Sequence, residues 1–278
     1  MLLRCRSRTL DLMQPCVMGV LNVTPDSFSD GGLHLDRARA VEAGLRMVGD
    51  GAAIIDVGGE STRPGAAPVD AAEELDRVVP VIETLARRAD AVLSIDTSKP
   101  EVITAALQAG AHMVNDVRAL RRTGALAAAA AHDAAVCVMH MVGEPATMQV
   151  DPHYDDVVRE VHEFLTERVA ACRKAGIRAE SICVDPGIGF AKTAAHNLAL
   201  LRSLRTFTDL GGPLLVGVSR KALIGMITGR PPAERTVGSA AMAALCVERG
   251  ARIVRAHDVA ATIDAVKIAV ALLRTNQG

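Results

Sequence analysis

In this 278-residue chain, short apolar runs repeatedly stop at a side chain that could do chemistry. Asn22 closes CVMGVLN, and Asp56 and Glu60 fall in AAIIDVGGES. Asp96 closes AVLSID, Asn115 stands in AHMVND, His140 closes AVCVMH and Asp185 closes SICVD. Ser219 and Lys221 follow LLVGV, and Arg255 and His257 stand in ARIVRAH. Carboxylates and amides of this kind accept hydrogen bonds, and the lysine and arginine donate them. Together they suit a polar small molecule. A carboxylate such as Asp185 can accept from the two adjacent N–H groups of an amino-pyrimidinone edge, each bond to a charged group contributing about 1.5–3 kcal/mol. Other ligands satisfy the same geometry, and a strand-end aspartate also serves as a local cap.

Such residues meet only if the runs are parallel strands that end on one face. Each run is short, rich in Val and Ile and apolar at consecutive positions, the pattern of strands buried on both sides. Between them lie Ala-rich stretches with helical spacing, such as DRARAVEAGLRMVGDG and AAEELDRVVPVIETLARRA, several closing on glycine. Eight strand–helix units predict an α/β fold, a (β/α)8 TIM barrel forming a single domain over residues 17–278, with residues 1–16 as an N-terminal segment covering the barrel bottom. A doubly wound open sheet also alternates strand and helix, but no G-x-G-x-x-G follows the first strand. In a barrel the chemistry gathers at the C-terminal ends of the strands, where these polar residues fall.

Composition narrows the class. With 31 basic and 32 acidic side chains, the chain has no footprint for nucleic acid or a membrane surface. No apolar run is long enough to span a bilayer, and MLLRCRSRTLDLMQPC lacks the apolar region of a signal peptide. The six cysteines are scattered without a C-x-x-C pair, which predicts reduced core thiols, and the eight histidines form no metal-ligand spacing. A cytoplasmic location is expected. The stretch CVDPGIGFAKT (183–193) imitates a phosphate loop, but Ala191 and Pro186 occupy the positions where a Walker A motif requires glycine. What remains there is a strand ending in Asp185 and a Pro-Gly turn that leaves its carboxylate facing the barrel mouth. Lys192 and Thr193 are expected to cap the following helix, His140 to order the end of its strand, Glu60 to fix the second loop through backbone N–H groups, Met139 and Met148 to line core or pocket, and LRCRSR to be a solvated face.

Read together and in order, MGVLNVTPDSFSDGG (18–32), DVGGESTRPGA (56–66), SIDTSKP (94–100), VNDV (114–117), MHMVGEPATMQ (139–149), DPGIGFAKT (185–193), GVSRKALIG (217–225) and RAHD (255–258) resemble the dihydropteroate synthases. The resemblance runs along nearly the whole chain. It implies a transferase of folate biosynthesis that condenses 6-hydroxymethyl-7,8-dihydropterin pyrophosphate with p-aminobenzoate, releases pyrophosphate with Mg²⁺ as cofactor, is inhibited by sulfonamides and forms a homodimer. It assigns Asp96, Asn115, Asp185, Lys221, Arg255 and Phe190 to the pterin, with Arg255 stacking on its face as a planar guanidinium can. It assigns Asn22, Thr62, Arg255 and His257 to the pyrophosphate end, with Asn22 offering an oxygen to Mg²⁺. Phe28, Thr62, Arg63 and Ser219 fall to p-aminobenzoate, Phe190 also walling its ring, and Asn22, Lys221, Arg255 and His257 carry the catalytic roles. Ala191, Ala222 and the Ala of RAHD depart from the family's usual glycine, serine and valine. Two other readings stay within reach of these motifs: a pterin-dependent methyltransferase barrel and a non-catalytic pterin-binding paralogue. Because an aniline nitrogen is a weak nucleophile, a dissociative step is expected, with loops TPDSFSDGG and GGESTRPGA as lids that exclude water.

Overall fold

The computed structural model describes residues 1–24, 32–61, 68–144 and 147–274. A hairpin comes first, β1 (Leu2–Cys5) paired antiparallel with β2 (Arg8–Asp11). Eight parallel strands follow: β3 (Cys16–Asn22), β4 (Ile54–Gly58), β5 (Val92–Asp96), β6 (Met113–Asp116), β7 (Ala135–Met139), β8 (Ile182–Asp185), β9 (Leu215–Gly217) and β10 (Ile253–Ala256). They pair in the order β8-β7-β6-β5-β4-β3-β10-β9, and a parallel bridge from Val184 to Leu214 draws β9 to β8. The result is the nearly closed (β/α)8 barrel expected from the eight apolar runs.

Helices wrap it: α1 (Gly32–Gly49), α2 (Ala71–Arg88), α3 (Pro100–Gln108), α4 (Ala125–Ala131), α5 (Val157–Lys174), α6 (Ala194–Arg202), α7 (Ala222–Thr228), α8 (Thr236–Glu248) and α9 (Val259–Arg274). Several begin at a start signal in the sequence. Asp70 caps α2 by accepting from Glu73 N at 2.8 Å, and Asp156 caps α5 by accepting from Val158 N and Arg159 N. The unit after β9 differs in holding two α-helices, α7 and α8.

Residue parity along the strands separates two apolar layers, because successive side chains of a strand point to opposite faces. Ile55, Val57, Leu93, Ile95, Val136 and Val138 face the helices. Met18, Ile54, Val92, Met113, Cys183 and Ile253 face inward at the strand starts, where they form a cluster with Leu3, Cys5 and Leu12 of the hairpin segment. Residues 1–12 therefore lie across the bottom of the barrel. Arg6, in the middle of LRCRSR, is not a solvated charge: its guanidinium donates to the carbonyls of Leu107 and Ala111, both at 2.6 Å, and ties the hairpin to the end of α3. All six cysteines are free thiols, five of them buried. With the bottom filled by apolar side chains, the polar inward positions are left for the other end.

Candidate active site

The inward parity carries the site up the barrel. Above Ile54 and Val92 the inward positions become Asp56 and Ser94, and above those Gly58 and Asp96; the register sets Asn22 beside Gly58, Gly58 beside Asp96, and Asp96 beside Asn115. Asp56 is completely buried, and its Oδ2 accepts from Asn115 Nδ2 at 2.9 Å and from Arg255 Nε at 2.7 Å. The same guanidinium donates through its terminal nitrogen to Asp96 Oδ2 at 2.7 Å. One cation from β10 thus spans two carboxylates from β4 and β5, in the planar fork arrangement arginine favours. Burial disfavours the charge on Arg255, but Asp56 and Asp96 hold its affinity for the proton above the ordinary arginine value. Asp96 remains short of compensation: burial pushes its carboxyl from 3.8 up to about 7 against the pull of Arg255.

On the opposite wall, Asp185 Oδ1 accepts from Gly187 N at 2.7 Å, so the carboxylate is held by the turn that follows its own strand. Burial raises it to about 6, against the Gly187 amide and the cations Lys221, Lys192 and Arg255. Lys221 precedes α7 as its N-cap residue, and its Nζ lies 4.0 Å from the centroid of the Phe190 ring. Burial lowers this lysine to about 8, partly countered by Asp185. Ser219 Oγ accepts from His257 N and meets His257 Nδ1, each at 3.1 Å, which joins the loops after β9 and β10. Asn22 ends β3 on the same rim. A Cβ built on Gly58 would stand 3.8 Å from both Asn22 Oδ1 and Asp96 Oδ2, so the oxygens of these two side chains border the same space over the strand end.

The strand ends therefore gather Asn22, Asp96, Asn115, Asp185, Ser219, Lys221, Arg255, His257 and, from the loop after β8, Phe190. Phe28, Thr62 and Arg63 lie outside the described residues. Asp56, to which neither the strand pattern nor the resemblance assigns a role, anchors both Asn115 and Arg255. Its signal was present: an acid in the middle of a buried strand, on the parity of Ile54 and Gly58, has to meet a donor inside the barrel.

Of the residues expected to fix the surrounding loops, Thr193 and Glu60 do so and Lys192 takes another place. Thr193 does cap α6, in a reciprocal capping box with His196. Lys192 does not; it is 4% exposed and donates inward to the carbonyls of Phe190 (2.9 Å) and His140 (3.3 Å) and to His140 Nδ1 (3.0 Å). Glu60 fixes its loop by accepting from Val69 N at 3.3 Å, and also from Lys99, which binds Glu74 as well. Met139 and Met148 pack with Met141, Val117, Ala191 and Phe190 in a cluster beside Asp185. Ala191, where glycine is common among the dihydropteroate synthases, adopts φ 52°, which explains why glycine suits that position.

Comparison with known proteins agrees with this arrangement. Residues 18–257 match the family model of the pterin binding enzymes. The dihydropteroate synthase of Escherichia coli (strain K12) is 50% identical over 277 residues, covering 100% of this chain and 98% of the relative. The chain belongs to the dihydropteroate synthase family. A structure of the Yersinia pestis dihydropteroate synthase in a sulfonamide drug complex superposes with a TM-score of 0.94 at 50% identity, covering 99% of this chain and 100% of that one. The Xanthomonas albilineans dihydropteroate synthase with 4-aminobenzoic acid gives 0.93 at 51% identity, with 98% of each chain covered. The family's barrel, its length and the order of its motifs are thus shared from end to end.

Proposed function

We propose that this chain makes 7,8-dihydropteroate by joining 6-hydroxymethyl-7,8-dihydropterin pyrophosphate to p-aminobenzoate, with release of pyrophosphate. The observation that carries this reading is the set of acceptors on the barrel wall, Asp96, Asn115 and Asp185, faced by the donors Lys221 and Arg255. A dihydropterin presents the complement: adjacent N–H donors on its amino-pyrimidinone edge, a carbonyl and ring nitrogen for Lys221, and a flat face for the guanidinium of Arg255. Asn115 is turned with its amide nitrogen toward Asp56, which directs its oxygen to the ligand's donors. Ionised Asp185 gains two charge-assisted bonds when the pterin arrives, an interaction worth more in a dry barrel than in water.

The C–O bond from the exocyclic CH₂ to pyrophosphate breaks, the aniline nitrogen forms its bond to that carbon, and the amine loses a proton. The electron-rich pterin ring can carry positive charge at that carbon, which supports a dissociative order with bond cleavage ahead of attack. The carboxylates of Asp96 and Asp185, bonded to the edge of the ring, stabilise such a cation. Arg255 and His257 stand at the rim for the leaving pyrophosphate, with Thr62. Ser219, at the N-terminal approach to α7, serves the aminobenzoate, with Phe28, Thr62 and Arg63. Among the described residues no three His, Cys, Asp or Glu side chains converge as a metal cage. Mg²⁺ binds through few protein oxygens and keeps water and phosphate ligands. Asn22 would hold it on this chain's side, and when bound it supplies charge neutralisation for the departing pyrophosphate.

A homodimer and a cytoplasmic setting complete the proposal. Among the described residues no helix is long and apolar enough to cross a membrane. Met226, Ile227, Val237, Leu245, Ile268 and Leu272 are exposed on α7, α8 and α9, an apolar face fit for a second copy of the chain.

The deciding experiment mixes protein, pterin pyrophosphate, p-aminobenzoate and Mg²⁺ and detects dihydropteroate by mass spectrometry. Product is expected, and it should vanish in an Asn22→Ala, Lys221→Ala double variant. Absence of product with tight pterin binding retained in calorimetry would make the chain a silent pterin binder.

A further inference from the structure

The loop from Asp185 to Thr193 is bent into an unusual shape, and one buried lysine holds it there. Gly187, Gly189 and Ala191 all have positive φ, at 70°, 83° and 52°. Gly187 lies so close to the end of β7 that an added Cβ would fall 2.0 Å from the His140 carbonyl oxygen, and one on Gly189 would meet Lys221 Cδ at 3.1 Å. Phe190, which follows Gly189, lies under the ammonium of Lys221. Lys192 then reaches back beneath this loop. Its three protons have three acceptors: the Phe190 carbonyl, the His140 carbonyl and His140 Nδ1. The imidazole can accept because it is neutral, burial having pushed it down to about 3. Gln149 adds a bond from Nε2 to the Gly189 carbonyl at 2.7 Å, and Tyr154 Oη one to the Ala191 carbonyl at 2.9 Å.

We infer that Lys192 is a positioning residue for the pterin end of the site: it straps the Phe190 loop to the end of β7, which seats Phe190 against Lys221, and it adds its positive charge to those of Lys221 and Arg255 around Asp185. The inference rests on the pterin assignment proposed above. Asp185 is faced by Lys221 from the start of α7, by Arg255 from β10 and by Lys192 from its own loop, with the thiols of Cys137 and Cys246 nearby. Lys192 itself is faced by Asp185, Lys221 and the neutral His140. Burial lowers Lys192 to about 7, so it still carries its charge over the range near pH 6 in which Asp185 takes up a proton.

Two substitutions separate the strap from the charge. Lys192→Met keeps the length and apolar stem but removes every donor. Lys192→Gln keeps amide donors for a carbonyl and removes the charge. Binding of the dihydropterin pyrophosphate alone, with Mg²⁺, is measured by calorimetry from pH 5.5 to 8.5, with melting temperatures alongside and Asp185→Asn as control. Lys192→Met is expected to bind ~10-fold more weakly at pH 8, because the buried His140 carbonyl and the partly buried Phe190 carbonyl lose their donor. Lys192→Gln should recover most of that loss. In both variants the acid limb of the affinity profile should move upward by roughly half a pH unit, since Asp185 loses a neighbouring cation. Wild-type affinity and an unmoved acid limb in either folded variant, whatever the melting temperature, would make Lys192 a packing residue and overturn the inference. If Asp185→Asn also bound normally, the pterin assignment would fall with it; if Asp185→Asn bound poorly, the inference alone would fail.

Discussion

At the scale of single residues, the site holds carboxylates whose charge burial disfavours and a ligand rewards. Asp185 illustrates the trade. Its carboxyl is raised from 3.8 to about 6 in the folded chain, so folding binds a proton over that interval that the unfolded chain has released. A raised acid contributes stability below pH 3.8 that is lost as pH climbs through 6. Asp185→Asn should therefore raise the melting temperature of the ligand-free protein at pH 8 and leave it little changed at pH 3.5, while the new amide still accepts from Gly187 N. The same variant should lose on the order of 2–3 kcal/mol in pterin affinity, because its amide donors then face donors of the ligand. Thermal scans at both pH values and calorimetry with pterin check the two halves. An equal melting temperature at pH 8 would mean that Asp185 is compensated within the protein. Arg63→Ala should instead raise the KM for p-aminobenzoate with pterin affinity nearly intact; a loss shared by both substrates would overturn that division of the pocket.

At the scale of elements, strand parity and loop stereochemistry aim the side chains. The loop after β8 shows how little freedom there is. Gly187→Ala would both force an L side chain into φ 70° and drive its Cβ against the His140 carbonyl. Neither the backbone of β7 nor Asp185 can retreat, so the variant should lose pterin binding at least ~10-fold and melt earlier, a combination of strain and displaced acceptors. Thr193→Ala, only six residues on, should behave differently. It removes half of the capping box of α6 and should cost about 0.5–2 kcal/mol in denaturant unfolding with kcat/KM close to unchanged. The contrast tests whether chemistry is confined to the loop and stability to the helix behind it.

At the scale of the whole molecule, the barrel has a chemical end and a structural end. The hairpin, β1 and β2, plugs the structural end with Leu3, Cys5 and Leu12, latched by Arg6. Leu3→Ala removes a fully buried side chain and should cost about 2–5 kcal/mol of stability. Because the site lies at the opposite ends of the strands, kcat and both KM values should stay near wild type at temperatures where the variant is folded. A large change in KM for the pterin would mean that the bottom layer sets the height of the polar layer above it.

The sequence by itself determined the architecture and the membership of the rim. Eight apolar runs can be buried on both faces only as parallel strands, and their polar ends must then share one side, so Asn22, Asp96, Asn115, Asp185 and Arg255 were readable as neighbours before any coordinates. The long motifs carried the family for the same reason, since loops that hold a ligand keep their residues in order. What only the tertiary structure decided was pairing across the barrel. Asp56 and Arg255 are 199 residues apart and meet at 2.7 Å, and Lys192 turns from an expected helix cap into a strap on His140. No local periodicity encodes such contacts: they arise when the sheet closes on itself and a desolvated charge has to find the partner the fold has brought within reach.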